Sequence, residues 1–491
     1  MHFNVVEETD EIQIDLTENF TIKSIRNDGK ELAYRRVHDA IFVKFDKELA
    51  IGSNQVVEVT YFGKPRVAAM APWNGGFVWS EKRGKPWIGV ACEHLGASSW
   101  WPCKDHLSEE PDSMTINIQS PSKLQAVANG NLRSTKIIDD KYTNYEWFVS
   151  YPINSYCVTF YIGNFVNFNE TFSNKGHEYQ LDYYVLPHNL EKAKKYYEQT
   201  KEVLEVFEGL YGTYPAPKDG VGMVEAPYSG MEHQSAIAIG DNYGSKSNRS
   251  YGNKLYDYLL VHETAHEWWG NAVTMNDMAD AWISEGFATY SEYLFLEQKY
   301  GHDEYLNAVE SGMQGIHNIW PIVGERNVND NTFLGGDIYT KGAVTLHNYR
   351  CLLSNDSLFF AVIKGFYNEY KYKTVTTPEF ISFVNTYTGH NYSSFFKKFL
   401  YDVLPPILEY NFTTGNDSLY FTYGWTGVKE DFEMPISITT DDGTNYRLLA
   451  TTKRNVFAMK GKSFFLANER STEKKKLAPN SFTYYWTRWV H

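Results

Sequence analysis

The chain has 491 residues, 43% of them hydrophobic and 37 of them tyrosine. That composition excludes a disordered chain and leaves room for two to four domains whose cores need no disulfide staple. A formal net charge of −14 argues against nucleic acid as a partner, and the short run Lys474-Lys475-Lys476 reads as a solvated loop.

No apolar run reaches the ~18 residues of a membrane-spanning helix, and no charged-then-apolar leader is present. Met1-His2-Phe3-Asn4-Val5-Val6 reads as a strand already under way, so the expected start of the protein lies upstream. From residue 1 to about 178 short alternating stretches recur, such as Glu11-Ile12-Gln13-Ile14-Asp15-Leu16 and Val56-Val57-Glu58-Val59-Thr60-Tyr61. Turn signals such as Asn27-Asp28-Gly29 and Asn74-Gly75-Gly76 separate them, which predicts an antiparallel β domain. The period then changes. Asn189 is expected to cap a helix from Leu190 to Leu210 ended by Gly212, and helical segments dominate residues 179–403, broken by Gly-rich and Asn-rich loops near 240–253 and 324–337. Leu404-Pro405-Pro406 marks a boundary. Residues 404–491 then read as a small β-sandwich, with Pro435-Ile436-Ser437-Ile438-Thr439-Thr440, a turn at Asp442-Gly443, and Phe464-Phe465-Leu466. The fold class expected is multidomain α+β. Cys92, Cys103, Cys157 and Cys351 include no CxxC pair, which disfavours a cysteine metal site and leaves open whether Cys92 and Cys103 pair or are buried thiols.

The chemistry concentrates in His262-Glu263-Thr264-Ala265-His266, followed after eighteen residues by Glu285. Histidines at i and i+4 share one helix face and can present ring nitrogens to one point. One Zn²⁺ per chain, held by His262, His266 and Glu285, is the expected cofactor, and Glu263 stands where a metal-activated water needs a general base. Tyr256, Leu259, Leu260 and Ala265 form an apolar stripe, so these histidines lie in a largely buried segment, where a partner such as a metal offsets their desolvation.

These residues resemble the zinc aminopeptidases of the aminopeptidase N and leukotriene hydrolase type, the gluzincins. The span from His262 to Asn271 is similar to that family's zinc helix, and Trp282-Ile283-Ser284-Glu285-Gly286-Phe287-Ala288 to its third-ligand helix. The resemblance implies a thermolysin-like, mainly α catalytic domain at 179–403. It also implies a peptide substrate with a free N-terminus. Ser229-Gly230-Met231-Glu232-His233 takes the place of the family's Gly-x-Met-Glu-Asn motif, so Gly230, Met231, Glu232 and His233 are expected to bind substrate. Tyr339-Thr340-Lys341-Gly342 resembles the segment carrying the catalytic tyrosine, and Glu93, in Cys92-Glu93-His94-Leu95-Gly96-Ala97, matches a second acidic residue. An α-ammonium, with a pKa of ~7.7–8.0, stays mostly charged at neutral pH, and two carboxylates suit it.

His233 departs from the family's Asn, and Ser229-Gly230 from its Gly-Ala, which puts side-chain preference in question. The large helical C-terminal domain of many relatives is not seen after the sandwich. Relatives are often exported, which favours a periplasmic or secreted setting. The rival readings are a thermolysin-like endopeptidase and a non-catalytic scaffold, and the second sits poorly with His262, Glu263, His266 and Glu285 all present.

Overall fold

The computed structural model describes residues 1–243, 248–251, 254–328, 336–415, 418–460, 463–466 and 485–489. Lys474-Lys475-Lys476 lies outside them, as do parts of the loops near 240–253 and 324–337. The chain divides into two compact units, Met1–Lys201 with Pro215–Ser247, and Glu202–Tyr214 with Asn248–His491. The division expected at residue 178 falls inside a strand, His177–Val185.

The first unit is built of sheets. Near its start the strands Asn54–Gly63 and Phe20–Asn27 pair in one antiparallel sheet, and Thr9–Asp15, Ala40–Leu49 and Ala33–Val37 form another. Alternation does the work here: Ile41, Val43 and Phe45 point inward from Ala40–Leu49 and join Ile14, Ile22, Ile25 and Val57 in one core.

Farther along, a five-stranded sheet mixes directions. Val166–Asn174 and His177–Val185 pair antiparallel, Val221–Ala226 and Ile237–Gly240 add in parallel, and the two-residue strand Gly230–Met231 closes the edge. Every residue of Val221–Ala226 is buried, as expected of a strand covered on both faces.

Between the parallel strands the predicted single helix is two, α1 (Leu190–Tyr197) and α2 (Thr200–Leu210). At the break the Gln199 side chain donates to the Tyr196 carbonyl at 2.9 Å, satisfying an oxygen that a continuing helix would bond through its backbone. Asn189 stands at the N-cap position of α1, as expected, but makes no side-chain capping bond there. Its side chain donates to buried Glu225 instead, at 2.6 Å.

The second unit holds α2 from Glu202 onward, then α3 (Tyr258–Ala265), α4 (Trp282–Tyr300), α5 (His302–Gln314), α6 (Asp337–Leu353), α7 (Asp356–Tyr370), α8 (Thr377–Thr388) and α9 (Ser393–Leu400). Its core is aromatic: Trp269 packs on Phe287 at 4.6 Å, and Trp282 on Phe380 at 5.4 Å. The C-terminal strands form two small sheets, one around Ile407–Thr414 and Ser418–Thr426, the other around Glu433–Thr440 and Asn445–Thr451. The multidomain α+β architecture read from the sequence is therefore what the chain adopts. All four cysteines are buried and none forms a disulfide, so Cys92 and Cys103 are not paired.

Candidate metal centre

In the second unit, α3 starts at Asp257, whose carboxylate accepts the Leu260 amide at 3.1 Å. His262 lies in the middle of this short helix and His266 caps its end. Gly270, at φ 116°, lets the chain turn back, and a side chain there would run into the Ser284 hydroxyl.

Glu285 lies in the first turn of α4, which packs along α3. One of its carboxylate oxygens sits 3.1 Å from His262 Nε2 and 3.4 Å from His266 Nε2, and the two imidazoles stand nearly perpendicular, centroids 4.7 Å apart. Nitrogen and oxygen ligands of a tetrahedral zinc, bonded at ~2.0–2.2 Å, lie roughly 3.3 Å apart, so this donor set fits the ion.

The far nitrogens of both rings are held as well. His262 Nδ1 meets Glu292 at 2.9 Å, and His266 Nδ1 meets the Trp269 carbonyl at 2.9 Å and the Ser284 hydroxyl at 3.0 Å. With its Nδ1 so bound, each ring is oriented to offer Nε2 to a metal. Burial alone would depress His262. Its hydrogen bonds to Glu285 and Glu292 outweigh that and hold it well above its ordinary value. Burial would raise Glu285, and the hydrogen bonds from His262 and His266 hold it well below. A cluster that binds a proton so strongly favours a divalent cation for the same electrostatic reason, and metal binding releases such protons.

Glu263 is buried, with its carboxylate within 4.8 Å of a His266 nitrogen. Tyr339, in the first turn of α6, is half-buried, and its ring lies over the His262 ring at 6.1 Å and 29°. Five of the ten residues singled out in the sequence thus gather in this unit.

The other five belong to the first unit. Gly230 and Met231 form the edge strand of the mixed sheet, and Glu232 and His233 follow it, both buried. Glu232 accepts the Tyr156 hydroxyl at 3.1 Å, and its carboxylate lies within 4.8 Å of that of Glu93. Glu93 is 6% exposed, and its Oε1 has no hydrogen-bond partner among the described residues. Tyr161 donates to the Ala236 carbonyl at 2.9 Å, so its hydroxyl accepts from His233 Nδ1 at 2.7 Å, which leaves Nε2 as a bare acceptor. Burial depresses His233 to about 3, so it is neutral at pH 7.

Sequence reasoning missed Glu292 and Ser284. Glu292 lies seven residues after Glu285, two turns along one face of α4, and that spacing was the available signal.

Two imidazoles one turn apart, a carboxylate from a second helix and an adjacent glutamate make up a donor set suited to a zinc ion. Residues 195–399 match the Peptidase family M1 domain. Human glutamyl aminopeptidase is 30% identical over 212 residues, 42% of this chain and 22% of that protein. Probable aminopeptidase 2 of Sulfurisphaera tokodaii is 23% identical over 400 residues, 77% of this chain and 48% of that one. Among solved structures, an M1 zinc metallopeptidase from Deinococcus radiodurans superposes with TM-score 0.67 at 19% identity, covering 82% of this chain and 87% of its own. Aminopeptidase A from Legionella pneumophila gives TM-score 0.80 at 16% identity, covering 99% and 56%. Over residues 195–399 the chain is thus similar to the M1 peptidases. It spans under half the length of these curated relatives.

Proposed function

We propose that this chain removes single residues from the N-terminus of peptides, using one zinc ion held by His262, His266 and Glu285. The donor separations of 3.1 and 3.4 Å around Glu285 support the ion. The observation that carries the exopeptidase reading is the buried pair Glu93 and Glu232, with an unpartnered oxygen on Glu93. Two desolvated carboxylates so close favour a cation between them, and a peptide's α-ammonium supplies one with three N–H donors.

Bound zinc supplies Lewis acidity towards the scissile carbonyl and acidifies water. In the proposed reaction Glu263 takes the attacking water's proton on its carboxylate and later gives it to the leaving amine. The Tyr339 hydroxyl donates to the carbonyl oxygen as it gains charge, a contribution typically of ~2.7–4 kcal/mol for one such donor. Glu232 and Glu93 hold the ammonium and so fix which peptide bond reacts. Gly230, Met231 and His233 are assigned to the substrate's backbone.

The test compares a peptide with its N-acetylated twin, with and without chelator. Cleavage of the free peptide alone, abolished by chelation, is expected. Glu232→Ala should raise KM roughly tenfold or more, as loss of a charge-assisted contact implies, and narrow the preference for the free terminus. Internal cutting of the acetylated peptide would identify an endopeptidase instead. The names of the relatives make acidic first residues the first to try, beside neutral and basic ones. A periplasmic or secreted location is part of the same proposal.

A further inference from the structure

Gly286 follows Glu285 on α4, and Gly342 stands three residues after Tyr339 on α6. The two helices cross at these glycines, backbone against backbone. A methyl on Gly286 would lie 3.0 Å from the Gly342 Cα and 3.1 Å from the Ile338 carbonyl oxygen, and one on Gly342 would lie 2.9 Å from the Gly286 Cα. Carbon atoms pack at ~3.5–4.0 Å, and backbone cannot swing aside, so a side chain at either position would part the helices by roughly 0.5–1 Å.

Neither glycine has a positive φ, so neither is needed for backbone conformation. Each costs its helix about 1 kcal/mol relative to alanine. Beside Gly342, the buried Lys341 ammonium donates to the carbonyls of Asp402 and Val403 at 2.9 and 2.8 Å, tying α6 to the chain after α9. Residues three apart share a helix face, so Tyr339 moves with Gly342.

We propose that the Gly286–Gly342 crossing is the spacer that sets the distance between the Tyr339 hydroxyl and the cluster of His262, His266 and Glu285. Both glycines are then positioning residues for the oxyanion donor. This rests on the reading of Tyr339 as that donor.

The experiment is a double-mutant cycle on the zinc-loaded protein with a free-N-terminus peptide. Gly342→Ala should lower kcat about 10- to 100-fold, as a misplacement near 1 Å does, with KM within about threefold and zinc content unchanged. In a Tyr339→Phe background the same change should cost less than about twofold, since the residue it acts through is gone.

A second readout needs no turnover. 3-Fluorotyrosine at position 339 in the metal-free protein should shift its fluorine resonance on Gly342→Ala, because the ring moves against His262. Should Gly342→Ala not fold, Lys341→Gln loosens the same helix without adding bulk, and its kcat loss should also vanish with Tyr339→Phe. Equal losses in both backgrounds, or an unmoved resonance, overturn the spacer while leaving Tyr339 as donor. Wild-type turnover by Tyr339→Phe alone overturns the donor reading, and the spacer falls with it.

Discussion

Glu292 touches no substrate in the proposed reaction, yet it fixes His262 through Nδ1 at 2.9 Å. Partners of this kind typically contribute 10- to 100-fold to metal affinity. Glu292→Gln keeps the shape and can still accept a hydrogen bond, so a loss near tenfold in zinc affinity is expected from titration against a competing chelator. Unchanged affinity would remove Glu292 from the centre. His233 is a residue with a pH signature. Burial holds it at about 3, against an ordinary 6.5. Between those values the unfolded chain takes up a proton that the folded chain refuses, so stability falls as pH drops from about 6.5 towards 3, by up to ~1.4 kcal/mol per pH unit. Above 6.5 the group adds no slope. Urea unfolding at pH 7.5, 6 and 5 should therefore show His233→Asn losing less stability in acid than the wild type, and parallel curves would refute this. The triad was legible because HExxH plus a downstream glutamate is rarely met by chance. Glu292 was not, because an acidic residue on a helix looks solvated until α3 is seen against it.

Local pattern reached some elements and failed at others. Ala40–Leu49 was readable because one face is buried and the other wet, which writes alternation into the sequence. Val221–Ala226 is covered on both faces and carries no alternation, so the mixed sheet that delivers Gly230–Met231 to an edge was invisible. The break between α1 and α2, where the Gln199 side chain bonds the Tyr196 carbonyl, left no mark in the periodicity. The apolar stripe read from Tyr256 begins before the helix does, in the strand Lys254–Asp257, and so passed over Asp257. Its carboxylate caps the helix that carries both histidines. Asp257→Ala should cost about 1 kcal/mol in urea unfolding, while Asp257→Asn, a cap of similar quality, should cost far less. Equal losses would mean that charge, and not capping, is what the helix needs there.

At the scale of the whole molecule the consequence is an asymmetry between the units. All three candidate ligands lie in Asn248–His491, and none in Met1–Lys201. A ligand that binds only the folded state stabilises by RT ln(1 + [L]/Kd), about 4 kcal/mol at a thousandfold excess over Kd. Chains with more than one cooperative unit need not melt in a single step. Calorimetry with zinc and then with chelator should move the transition of the second unit by many degrees and leave that of the first where it was. Glu263→Gln separates stability from chemistry: it should gain the same zinc-dependent stabilisation while losing roughly 10²–10⁴ in turnover, the range of a general base. If chelation shifted both transitions equally, the ion's effect would not be confined to the helices that carry its donors. If it shifted neither, His262, His266 and Glu285 would hold no metal, and the electrostatics that bind a proton so firmly among them would need another purpose.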